Sequence, residues 1–166
     1  KGHNGIEEAL DEIVLKIESF VDDGTNIIIL SDRKVSKKMA PIPILLACSF
    51  VHQTMINRKK RSKFEIIIES AEPREPHHFS MLFGYGASAI NPYLVNEIIS
   101  YHHKNGYIKG ISIESAIANF NEAIAKGIIK MPLKELSHEE QSHLFIQGRI
   151  CKRQPAKVTV KDRGWM

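Results

Sequence analysis

Apolar residues between Ile6 and Val21 recur at spacings of three and four: Ile6, Leu10, Ile13, Val14, Ile17, Phe20 and Val21. The opposite side carries Glu and Asp, so the stretch reads as an amphipathic helix. Glu7, Glu8, Asp11 and Glu12 suit its positive amino end, and Gly24 is placed to end it. The period then changes. Asn26–Leu30 is short, β-branched and apolar on both faces, which predicts a buried parallel strand. Arg33–Ala40 is polar with three lysines and reads as a surface loop. Pro41 suits the first turn of a helix running from about Pro43 to Asn57, apolar nearly all round and therefore deeply packed.

Phe64–Glu69 repeats the strand signal, and Glu72-Pro73-Arg74-Glu75-Pro76 follows as a rigid loop. Next come a helix from His77 to about Phe83, a short strand Ala87–Asn91, and a helix Tyr93–His103. In that last helix Leu94, Ile98 and Ile99 point inward, and it stops near Gly106. Ser112 is an N-cap candidate for a helix with Ile113, Ile117, Phe120, Ile124 and Ile128 on one stripe. Strands alternating with helices predict an α/β fold with parallel pairing, as a partial barrel or an open doubly wound sheet, plus extra C-terminal helices. Chemistry in such folds gathers beyond the carboxyl ends of the strands. Those ends are Ser31-Asp32-Arg33, Glu69-Ser70 with Glu72 and Arg74, and Asn91-Pro92-Tyr93. They are expected to converge on one rim.

Charge narrows the function classes. The net charge is +4, but residues 1–130 hold 16 basic against 15 acidic side chains, and residues 131–166 hold 7 against 4. A near-neutral body argues against nucleic acid as a partner, which would call for a basic face. Two cysteines, Cys48 and Cys151, are too few for a disulfide framework and lack zinc-site spacing, so a reducing, cytoplasmic setting is expected. The longest near-continuous apolar run, Ile42–Val51, is too short to span a bilayer, so no membrane partner is expected. No signal peptide is visible, and the chain begins at Lys1, so an upstream segment is expected.

Texture changes after residue 130. Pro132 interrupts helix continuation, Ser137-His138-Glu139-Glu140 fits a capping box leading to a helix towards Ile146, and Gly148 is placed to end it. Lys157–Lys161 alternates like an edge strand. The expected organisation is one α/β domain over 1–130 and a basic extension over 131–166.

Each constellation has a bland reading beside the sharp one. His77-His78 suggests a metal, but adjacent helical histidines diverge by about 100°, and no acidic residue nearby has metal-site spacing. Capping or local bonding by one ring is favoured, and no metal is expected. His102-His103 suits a helix carboxyl end. Asp32, Arg33, Glu69, Glu72 and Arg74 can form an ion network, and a structural network outweighs acid/base work because no nucleophile or cofactor anchor accompanies it. Gly84-Tyr85-Gly86 precedes a strand, so it is a tight turn and not a phosphate cradle. Cys48 reads as a small core residue. Arg58, Lys59, Lys60, Arg61 and Lys63 read as a solvated helix end. The rim candidates for any ligand are Asp32, Arg33, Glu69, Arg74, His77 and Asn91.

Long motifs carry a resemblance. GTNIIILSDR (Gly24–Arg33), APIPILLACSFVHQ (Ala40–Gln53), the Glu69–Arg74 strand end, HHFSMLFGYGASAINPYL (His77–Leu94) and NFNEAIAKGIIK (Asn119–Lys130) occur in order. Together, over about Gly5 to Lys130, they resemble the central domain of the large subunit of glutamate synthase, ferredoxin- or NADPH-dependent. The resemblance implies an α/β connecting domain between a glutaminase-type domain and a flavin domain, in cis or trans. The intact enzyme turns glutamine and 2-oxoglutarate into two glutamates. It also implies that FMN and an iron–sulfur cluster belong to other domains, with no catalytic, cofactor or metal residue here. Met131-Pro132-Leu133 departs from the family's continuation. The expected role is structural and interdomain, without independent catalysis. The competing expectations are a small ligand-binding protein or enzyme using the rim, and an interaction protein using the basic extension.

Overall fold

The computed structural model of the chain describes residues 4–37 and 39–130. Eight elements follow one another: α1 (Asn4–Asp22), β1 (Ile27–Ser31), α2 (Ile44–Asn57), β2 (Glu65–Glu69), α3 (Pro76–Gly84), β3 (Ala89–Asn91), α4 (Tyr93–Lys104) and α5 (Ile113–Lys130). A single 3-10 turn, Arg61–Lys63, leads into β2. The packing below lies within the first of two units, Lys1–Ile128; the second is Ile129–Met166. The expected capping box at Ser137, the strand at Lys157–Lys161 and Cys151 lie outside the described residues.

The three strands form one parallel sheet in the order β1-β2-β3. Ile28 pairs with Ile66 and Ile29 with Ile67; Ile67 pairs with Ala89 and Ile68 with Ile90. The order never reverses, and the helices that connect the strands lie on one face. This is an open parallel α/β sheet, a unit that a partial barrel and one half of a doubly wound sheet share. On the covered face Ile28, Leu30, Ile66 and Ile68 pack with Val14, Ile17 and Val21 of α1, with Ile44, Cys48, Val51 and Met55 of α2, and with Leu82 of α3. Val51, Met55, Ile66 and Ile68 are all fully buried.

The other face corrects the expectation of strands buried on both sides. Ile27 is 36% exposed and Ile29 50%, because no described helix crosses to that side. The β-branched run therefore makes the strand by conformation, while burial takes only alternate residues. Two helices also depart from expectation. In α2 the inner positions are buried, but Leu46 and Ile56 are exposed. In α4 no residue is fully buried, and Ile98 is 41% exposed.

The turns follow their residues. Gly24 takes a positive φ of 89° after α1, and the Thr25 amide returns to the Phe20 carbonyl at 2.8 Å. Ser112 Oγ accepts the Ser115 amide at 3.2 Å, capping α5 as its sequence position implied. α5 lies against α3: Phe120 meets Phe79 edge-on with ring centroids 6.3 Å apart. The α5 chain passes so close to Pro76 that a Cβ on Gly127 would stand 2.5 Å from Cγ of the proline.

Candidate functional site

The carboxyl ends of β1 and β2 do meet, and their polar groups are spent on one another. Asp32 follows β1 and accepts the Ser70 hydroxyl at 2.6 Å and the Ala71 amide at 3.1 Å. Ser70 is completely buried, and its oxygen also accepts the Glu72 amide at 3.1 Å. Asp32 thus clamps the start of the loop after β2. Glu72 reaches the other way. Both its carboxylate oxygens lie 3.2 Å from the Ile44 amide, the first of α2, where an acceptor and a negative charge are both favoured.

Arg33 lies on the uncovered side. Its Nε donates to Glu69 at 2.8 Å and its Nη1 to Glu97 of α4 at 3.2 Å, and the guanidinium stands 4.1 Å from the Tyr93 ring centroid. Ser31 Oγ donates to the same Glu69 at 2.7 Å, and Asn91 Nδ2 approaches it at 3.5 Å. Burial acts to raise the Glu69 carboxyl, but Arg33 and Ser31 outweigh it and hold the group below its ordinary range. The hydrogen bond to Glu69 in turn raises Arg33. Tyr93 is raised by burial and then by its hydrogen bond to Asp32. An open cleft of about 450 Å³ begins here, with Arg33, Asn91, Tyr93, Asn96, Glu97 and Lys104 among its lining.

Of the six rim candidates, Asp32, Arg33, Glu69 and Asn91 therefore lie together. Arg74 and His77 are exposed and make no ion pair among the described residues. His78, not His77, is the local binder: its Nδ1 accepts the Arg74 amide at 3.3 Å. No group of three His, Cys, Asp or Glu placed to hold a metal occurs among the described residues.

Sequence reasoning read Arg61 as part of a solvated helix end, and the structure corrects that. Nε donates to His52 Nδ1 at 3.0 Å, Nη1 to the Phe64 carbonyl at 2.5 Å and Nη2 to the Gly86 carbonyl at 2.7 Å. One guanidinium thus joins α2, the start of β2 and the turn before β3. Burial, then the charge of Arg61, pushes the His52 pKa down. The rest of the basic run is not simply solvated either. Arg58 and Lys60 pair with Glu18, and Lys60 also with Asp22 at 2.7 Å, so the run docks on the carboxyl end of α1. Cys48 is buried, its thiol pushed up to about 11 by burial, and its Sγ donates to the Tyr85 carbonyl. A thiol so rarely ionised suits a core and not a nucleophile.

A family model described as glutamate synthase central domain matches residues 1–134. The chain belongs to the glutamate synthase central domain family. It is 40% identical over 129 residues to the NADPH glutamate synthase large chain of Bacillus subtilis, covering 78% of this chain and 8% of that one. It is 37% identical over 135 residues to the NADH glutamate synthase of Schizosaccharomyces pombe, covering 81% and 6%. It is 33% identical over 141 residues to the ferredoxin-dependent glutamate synthase of Pyropia yezoensis, covering 78% and 9%. The chain thus spans less than a tenth of the length of these glutamate synthases, which are multi-domain proteins. In this central domain the rim is an acid-rich clamp: Asp32, Glu69, Glu72 and Glu97 outnumber Arg33 and Arg74.

Proposed function

We propose that this chain serves as the connecting domain of a glutamate synthase, a rigid spacer that holds a glutaminase-type domain and a flavin domain in register. On this reading the surrounding enzyme makes two glutamates from glutamine and 2-oxoglutarate. This segment contributes shape and contact surface and does not catalyse alone. The family match over residues 1–134 carries the proposal. The rim supports it, because its charged groups engage one another and so hold loops together. FMN and the iron–sulfur cluster belong to neighbouring domains on this reading. The rim here does not suit a flavin phosphate: its carboxylates repel an anion, and Arg33 already serves two of them. The proposed partners are the glutaminase and flavin domains, in cis or trans, with neither nucleic acid nor membrane. No helix among the described residues is long and apolar enough to cross a membrane. A cytoplasmic setting suits the free thiol of Cys48. The division into a domain over 1–130 and a basic extension over 131–166 is part of the same proposal.

The test is a thermal-shift series on the purified chain with glutamine, glutamate, 2-oxoglutarate and FMN. A real ligand stabilises the native state by mass action. A flat response to all four, from a colourless protein without glutaminase turnover, is expected. Stabilisation by FMN, or ammonia release from glutamine, would overturn the proposal.

A further inference from the structure

The turn before β3 is held from outside by one side chain, Arg61, which grips the Gly86 carbonyl and His52 Nδ1 together. An arginine only donates, so the Nδ1 that it reaches is bare and the ring neutral. Protonation would turn that lone pair into an N–H. The hydrogen bond would be lost, and two cations would stand 3.0 Å apart. Gly86 packs flat on the ring, where a Cβ would lie within 2.6 Å of Nδ1, Cε1 and Cγ, so ring and turn move together.

The surroundings of His52 offer nothing to absorb that charge. Arg61 is the charged group against the ring. One turn earlier on α2, Cys48 presents a neutral thiol bonded to the Tyr85 carbonyl. The turn itself presents backbone. No carboxylate among the described residues bears on the imidazole. The turn leads into a strand of only three residues at the edge of the sheet, so few ladder bonds oppose its release. The Ala87 amide returns to the Leu82 carbonyl at 3.0 Å, and the Ser88 amide reaches the Ile66 carbonyl at 2.7 Å. Those two amides report whether the turn is closed.

We propose that His52 and Arg61 form a proton-sensitive latch: acid opens the turn before β3, and the edge strand it leads into, while the rest of the sheet stays folded. Burial and then Arg61 disfavour the charged ring in the closed state, so opening takes up a proton. Opening therefore grows as pH falls below 6.5, the ordinary value of the ring, by up to about tenfold per pH unit. It levels off at the lower pKa of the closed state.

The turn into β1 is a matched control within the same molecule. Gly24 has a positive φ of 89°, as Gly86 has one of 98°, and the Thr25 amide returns to the Phe20 carbonyl at 2.8 Å. No histidine lies in that turn.

The test is amide hydrogen exchange of the full 166-residue chain, read residue by residue by NMR from pH 7.5 to pH 5 and divided by the intrinsic rate at each pH. Protection of Ala87 and Ser88 is expected to fall about tenfold between pH 6.5 and pH 5, with Thr25 steady within about twofold. His52→Asn keeps an acceptor for Arg61 that takes up no proton, and should hold Ala87 and Ser88 flat across the series. Protection independent of pH, an equal fall at Thr25, or an equal fall in His52→Asn overturns the latch.

Discussion

Gly86 lies flat against the imidazole of His52, so close that a Cβ on the glycine would stand 2.0 Å from Nδ1. Its φ of +98° also lies where side chains are disfavoured. His52 cannot retreat, because Arg61 holds its Nδ1 and the Gly86 carbonyl at once. Gly86→Ala is therefore expected to cost about 2–4 kcal/mol, combining backbone strain with a steric clash in a fixed network. Urea denaturation of the variant against the parent chain measures it. A cost within about 0.5 kcal/mol, the level of an ordinary surface change, would show that the latch is not rigid.

Glu72 offers a second, milder test. It caps α2 from a different loop, so its removal leaves the Ile44 amide unpaired. Glu72→Ala is expected to lose about 1 kcal/mol, as for other N-caps. Glu75→Ala, three residues along the same rigid loop, exposed and without a side-chain capping bond, should lose much less. Equal midpoints for the two variants would remove the capping role.

The one-sided sheet makes a sharp comparison between isoleucines. Ile66 is completely buried, while Ile29, on the neighbouring strand and the opposite face, is half exposed. Ile66→Ala should cost about 2–5 kcal/mol, and Ile29→Ala about 1 kcal/mol or less. Similar losses at both positions would mean that both faces are covered in solution.

Acid should weaken the fold in two steps. The folded His52 has a lowered pKa, so the unfolded chain binds its proton first. That contribution is present above pH 6.5 and fades as pH falls through the lower folded value. Glu18, lowered chiefly by its hydrogen bond to Lys60, and Glu69, where Arg33 and Ser31 outweigh burial, act below 4.5. Their stabilisation is present above that value and is lost as the carboxyls protonate. Thermal midpoints from pH 7 to pH 3 record both steps. His52→Asn should flatten the first and leave the second; an unchanged profile would contradict the assignment.

The periodicity of α1, the two isoleucine runs and Ser112 made most of the element order legible in the sequence. Ranges shifted only at the edges, as at β3, where pairing begins at Ala89 and not Ala87. The faces were less legible. NIIIL reads the same whether one or both sides are covered, because strand conformation selects β-branched residues before burial does. The rim pairing of Arg33 with Glu69 followed from strand ends meeting. Its second carboxylate, Glu97, lies one turn into α4, and no local pattern marks a residue 64 positions away as a partner. Arg61 was hidden by its neighbours. Within a basic run, only the fold distinguishes the side chain that turns inward from those that pair with α1.

The central claim is that this chain supports glutamate synthesis by connecting domains and not by catalysing a step. Glutamate formation from glutamine and 2-oxoglutarate by the Bacillus subtilis large chain carrying this chain in place of its matched segment, with its reductant supplied, tests that claim most directly. The account predicts turnover in the chimera, none when the segment is deleted, and none from the 166-residue chain alone. Turnover by the isolated chain, or a folded chimera that makes no glutamate, would contradict it.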